Sequence, residues 1–224
     1  MTQRAARIRQ EMKTPRAAAI AGILFSLLGT TSFLLFRLSI SPNLLSRPTV
    51  MIHHSRAASL ALYLLPFAGI AFLWFMGVIR DRLGEYEDHF FATVFLGSGL
   101  LFVAMIFTGG TEVAGIVTLL DREPAGLIQS GSFYLGRVEA HQTMNIYAGR
   151  MAGVFMMSTC TITLQTRILP RWMAWLGYAL ALILLLSVGR VEWLFLLFPL
   201  WVLLISGYML MEDLRPPRSF VGKP

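Results

Sequence analysis

Arg150 is the residue in this chain whose type and position ask for a chemical explanation. It stands in an apolar run, 147–166, long enough to cross a bilayer. A guanidinium there costs on the order of 2.5–3.5 kcal/mol on insertion scales and normally finds a carboxylate. Two carboxylates qualify by position. Glu112 interrupts the apolar run 90–120, and helical rise brings it within roughly 8 Å of the depth of Arg150, a gap that tilt and long side chains close. Glu139 lies eleven residues before Arg150 and Thr143 seven, close to three and two turns, so both share its helix face. The expected arrangement is an Arg150–Glu112 ion pair in the outer third of the membrane, with Glu139 as second partner. Snorkelling of Arg150 to the outer interface is the structural alternative, and an ion- or ligand-binding role is the functional one.

Histidines form the second candidate group. His53, His54 and His141, together with Glu112, Asp121, Glu123 and Glu139, are expected on or near the outer face. Imidazole with carboxylate suits zinc, copper or iron, but the chain has no HExxH, no CxxC and no pair of histidines at i, i+4. No catalytic residue stands out: there is no G-x-S-x-G elbow and no glycine-rich phosphate loop. A cofactor is therefore left unassigned. Cys160 is the sole cysteine and has no partner for a disulfide within the chain.

The elements that must position these groups are membrane helices. Of 224 residues, 56% are hydrophobic, which excludes an ordinary soluble domain. Six apolar runs, at 17–36, 57–79, 90–120, 147–166, 172–188 and 193–211, approach the ~20 residues a crossing needs. Backbone polar groups in lipid must be satisfied within their own helix, so the runs predict an all-α, six-span bundle. Lys and Arg fix its orientation. With the N-terminus inside, twelve of the 19 basic residues fall in cytoplasmic segments, six outside, and Arg150 in a span. Both termini are thus expected in the cytoplasm.

The layout is a basic arm, 1–16, a transmembrane domain, 17–211, and a short tail, 212–224. The arm enters an apolar run too long for an ordinary signal peptide, so an uncleaved first helix is expected. Its charge, part of a net +7, suits anionic headgroups rather than nucleic acid. Two longer outer connections are predicted, 38–56 and 111–142, and Phe133, Tyr134 and Leu135 give the second a membrane-surface character. The inner connector 80–88 reads as a solvated turn of mixed charge. Pro66 and Pro199 are expected to kink spans two and six. Small residues at four-residue spacing (Ala18, Gly22, Ser26 and Thr30; Gly149 and Gly153; Gly177 and Ala181) predict close helix packing inside the bundle.

The segments RAAAIAGILFSLLG, FLWFMGVIRDRLGE, HFFATVFLGSGLLF and ILPRWMAWLGYALALILLL resemble multi-span bacterial membrane proteins grouped under domains of unknown function. The resemblance touches about half the chain. It implies a bacterial inner-membrane location and a similar helical fold, and transfers no activity. The expected function is a non-enzymatic accessory or interaction module, within a larger membrane complex or a homo-oligomer. The low density of polar groups within the spans motivates it. The alternative is a small-solute or ion-coupled transporter using Arg150 and Glu112, and the third reading is a membrane metalloprotein with an outer-face histidine–carboxylate site.

Overall fold

The computed structural model describes residues 14–39, 48–83, 89–122, 126, 130–166, 169–186 and 192–214, with the backbone alone at 14–15, 48–55, 81–83, 89 and 192. Every described element is helical. The order is α1 (Thr14–Ser39), α2 (Pro48–Leu83), α3 (His89–Arg122), α4 (Ser132–His141), a π segment (Gln142–Ala148), α5 (Gly149–Thr166), α6 (Arg171–Leu186), a 3₁₀ turn (Glu192–Leu196) and α7 (Leu197–Leu214). The α4–π–α5 run is unbroken.

Four helices are long and apolar enough to cross a membrane: Arg16–Ser39, Arg56–Arg80, Phe90–Arg122 and Trp193–Leu214. The expected spans four and five correspond to α5 and α6. Apolar length alone does not establish these two, because α5 is rich in hydroxyl side chains and α6 has only 16 residues. The hydroxyls of α5 are satisfied within the helix: Ser158 and Thr159 donate to the Phe155 carbonyl, Thr161 to that of Met157 and Thr166 to that of Ile162. A hydropathy sum counts these groups as polar although they need no water.

Two expected outer connections are largely helix. α2 begins at Pro48, proline being well suited to a first helical turn. α3 runs through Gly109-Gly110 to Arg122, and α4 starts at Ser132 after Gly131, the one described glycine with positive φ (72°). At 36 and 34 residues, α2 and α3 are about 54 and 51 Å long, well beyond a hydrocarbon core of about 30 Å. The glycine pair does not break α3 because it is a packing device. Met144 presses on Gly109 and Leu65 on Gly110, leaving no room for a Cβ. Phe133 is buried against Ile116 and Leu120 rather than lying on a membrane surface, while Tyr134 and Leu135 are exposed. Pro199 sits in the first turn of α7, just after the 3₁₀ turn, where its missing N–H costs little. Pro66 is inside α2 as expected.

Aromatic rings fill the centre. Phe25, Phe72, Phe102, Phe155 and Phe198 form a continuous cluster with centroids 4.8–6.1 Å apart, mostly edge-to-face. Beside it lies an apolar cavity of about 30 Å³ bordered by Phe33, Gly69, Ile106 and Met144. Glycines set the close approaches. The Ser206 hydroxyl and the Phe75 ring press on Gly22, Phe107 on Gly69, and Cys160 and Trp201 on Gly177. The small-residue rows of α1, α5 and α6 therefore pack within the bundle. The two ends of the α1–α7 seam are pinned by charge contacts. Arg16 Nε donates to Asp213 Oδ2 at 2.6 Å, and the Arg37 guanidinium lies 4.2 Å above the Trp193 ring. The start of α1 and the end of α7 thus sit at the same end of the bundle.

Candidate functional site

A group of polar side chains, partly buried, lies where α3 meets the α4–π run. α3 and the α4–π–α5 run are antiparallel, with Gly136 against Ile116, Gly109 against Met144 and Gly99 against Phe155. That register puts Thr143 opposite Glu112, and its hydroxyl donates to Glu112 Oε1 at 3.2 Å. Glu112 Oε2 is buried with no hydrogen-bond partner. The exposed Glu139, one turn before Thr143, is close enough for its charge to act on Glu112. A second polar contact lies along the same run. Asn145 Nδ2 approaches His141 Nδ1 at 3.2 Å and donates to the His141 carbonyl at 3.3 Å, while its Oδ1 is buried and unpartnered.

The Asn145 side chain gives a local reason for the π segment. The His141 carbonyl would accept the Asn145 backbone N–H in an α-helix, and here the side-chain amide competes for it. A turn loosened in this way widens toward i→i+5 bonding, and such turns occur frequently at functional sites. No sequence pattern announces the π geometry. The His141/Asn145 spacing of four residues was the available signal.

The same register settles where Arg150 lies. Between the Gly109–Met144 and Gly99–Phe155 contacts, Arg150 falls level with Val103. That is nine residues from Glu112, about 13 Å of helical rise. The π segment adds a rotation, since it advances fewer degrees per residue than an α-helix and turns Arg150 off the Thr143 face. The Glu112 carboxylate therefore meets Thr143, and among the described residues no hydrogen bond or ion pair reaches Arg150 from Glu112, Glu139 or any other group. Through Phe72–Phe102 and Phe25–Phe72, the Arg150 level passes through the aromatic cluster. That level is near the middle of the described bundle.

Arg150 is half-buried, on the outward stripe of α5 with Tyr147, Val154, Met157 and Thr161. Tyr147 and Met157 on that stripe are 53% and 39% exposed. Thr161 reaches across to α6, its Oγ1 2.6 Å from the Tyr178 hydroxyl, a contact the sequence reading missed. α6 ends at Leu186, one residue beyond the Leu185 that abuts Gly153.

Of the histidine group, His53 and His54 fall on the backbone of α2, with side chains outside the described residues, and Glu123 lies outside them too. His141 packs with Asn145 on α4, and Asp121 is exposed at the end of α3. Among the described residues no three metal-ligating side chains converge.

The fold and its apolar helices define an all-helical membrane protein. The chain matches no protein-family model, and no characterised protein or solved structure is similar to it.

Proposed function

We propose that this chain is a non-enzymatic accessory or interaction subunit of a membrane complex, crossing the bilayer six times with both termini in the cytoplasm. One observation carries the reading: the bundle's centre is closed by aromatic rings, while its mid-level charge, Arg150, is on the outward face of α5. A substrate pathway would need several polar groups along the interior. Six crossings agree with the pinned α1–α7 seam, which requires an even number, and with the internally bonded hydroxyls of α5. The excess of arginine at the Arg16 end supports the cytoplasmic assignment. A bacterial inner membrane is the location that the family resemblance favours. Native-membrane purification in mild detergent tests the reading by mass: a particle larger than chain plus micelle is expected, and a monomer at all protein concentrations overturns it.

The second reading, a proton- or cation-coupled carrier, draws on Glu112 Oε2, a buried acceptor without a partner beside a π segment. Its test is uptake into proteoliposomes that Glu112→Gln and Thr143→Val both reduce. Uptake absent from wild type, or untouched by either change, removes it.

A further inference from the structure

Resting on the accessory reading, we propose that the outward stripe of α5 docks a transmembrane helix of another protein, one carrying an Asp or Glu near the middle of its apolar span.

The argument starts from depth. Arg150 is level with Val103, Phe72 and Phe25, each within about 6 Å, by helical rise, of the middle of its own apolar helix. With a hydrocarbon half-thickness of about 15 Å, a level up to about 6 Å off the middle lies about 9 Å from the nearer headgroup layer, so a snorkelling arginine would have to be fully extended. A carboxylate at the same depth satisfies the guanidinium without that extension. Among the described residues, none bonds or pairs with Arg150.

A second copy cannot supply one either. Of the 12 acidic residues only Glu112 lies well inside an apolar run, and it is displaced about 13 Å toward the outer end. A copy in the same orientation would offer apolar side chains at the height of Arg150. The missing carboxylate must come from a different chain, at mid-membrane.

The surface around Arg150 has the shape for a helix. Tyr147, Val154, Met157 and Thr161 continue the stripe at three- and four-residue spacing, so an approaching helix meets an apolar ridge with one charge. The Thr161–Tyr178 contact offers a second polar point lower on the same face. In lipid a guanidinium–carboxylate bond of this kind is charge-assisted and unscreened, which makes it selective for the partner's depth as well as its sign.

The test uses the full chain in phospholipid vesicles and model helices of leucine and alanine labelled for energy transfer. One helix carries Glu at its centre, one carries Glu nine residues from the centre, one carries Gln at the centre, and one has no polar residue. The central-Glu helix should bind the wild-type chain at least tenfold more tightly than the other three. Arg150→Met should abolish that preference, and Arg150→Glu should transfer it to a central-Lys helix. Equal binding of the central-Glu and displaced-Glu helices overturns the proposal using wild-type protein alone, so folding of the variants is not required. Preference retained in Arg150→Met also overturns it. Loss of this selectivity while the native particle stays large would remove this docking site and leave the accessory reading standing. A monomeric native particle would remove the reading itself.

Discussion

Arg150 and Glu112 carry opposite charges and yet meet different fates, because each is governed by what its own helix level offers. Glu112 finds Thr143 across the α3–α4 seam, at 3.2 Å. Arg150 has no hydrogen bond or ion pair among the described residues, so its charge counts as a net cost to the isolated chain. Arg150→Leu should therefore raise the thermal midpoint of the purified protein, by the equivalent of about 1–3 kcal/mol, as read by scanning calorimetry in detergent. A fall of that size would mean that the guanidinium has an intramolecular partner. For Glu112, Thr143→Val leaves both carboxylate oxygens without a protein donor and should cost about 1–2 kcal/mol. In a Glu112→Leu background the same change should cost close to nothing. Additive losses in that double-mutant cycle would show that the hydrogen bond is not what couples the two residues.

At the scale of helices, glycines decide which elements approach and the π segment decides which faces they present. Gly22→Ala would drive a Cβ into the Ser206 hydroxyl and the Phe75 ring. Overpacking of this kind should destabilise the chain by about 1–3 kcal/mol, and Ser206→Ala should recover part of the loss. Unchanged midpoints in both variants would show that α1 and α7 do not close at this point. The π segment makes a different prediction. Its wider turn holds more residues per turn than its α neighbours, so deleting Asn145 should be absorbed by a return to α geometry. Deleting Phe155, inside regular α5 and the aromatic cluster, should abolish folding. Size-exclusion profiles of the two deletions make the comparison, and equal collapse would mean the wide turn is not a removable bulge.

On the scale of the whole molecule, the α1–α7 seam brings the ends of the described chain together through Arg16 and Asp213. Single cysteines placed at the two chain ends in a Cys160→Ser background should react with an impermeant thiol reagent from the same side of sealed vesicles. Labelling from opposite sides would break the six-crossing reading. An exchange of charges, Arg16→Asp with Asp213→Arg, should keep the fold, while either change alone loses under 1 kcal/mol, because Arg16 is exposed and screened.

The apolar runs already declared that lipid surrounds this protein, since stretches of that length cannot be hidden in a soluble core of 224 residues. They also fixed the small-residue rows on α1, α5 and α6 as packing faces, because spacing of four residues repeats on one side of any α-helix. Contact across helices was a different matter. Pairing Glu112 with Arg150 assumed that depth could be counted from an apolar edge and that the helical period stayed at 3.6. In the structure Glu112 meets Thr143, and among the described residues no ion pair joins it to Arg150, for reasons that lie outside either segment. The helix carrying Arg150 is set by Met144 on Gly109 and Phe155 on Gly99, and the π segment turns it partway through. The stretches 48–56 and 111–122 are likewise helix, continuous with the apolar spans beside them, which a count of apolar residues alone did not announce. Burial in lipid depends on a residue's own sequence surroundings and is readable there. Register between helices depends on how two surfaces interlock, and only the assembled bundle holds that information.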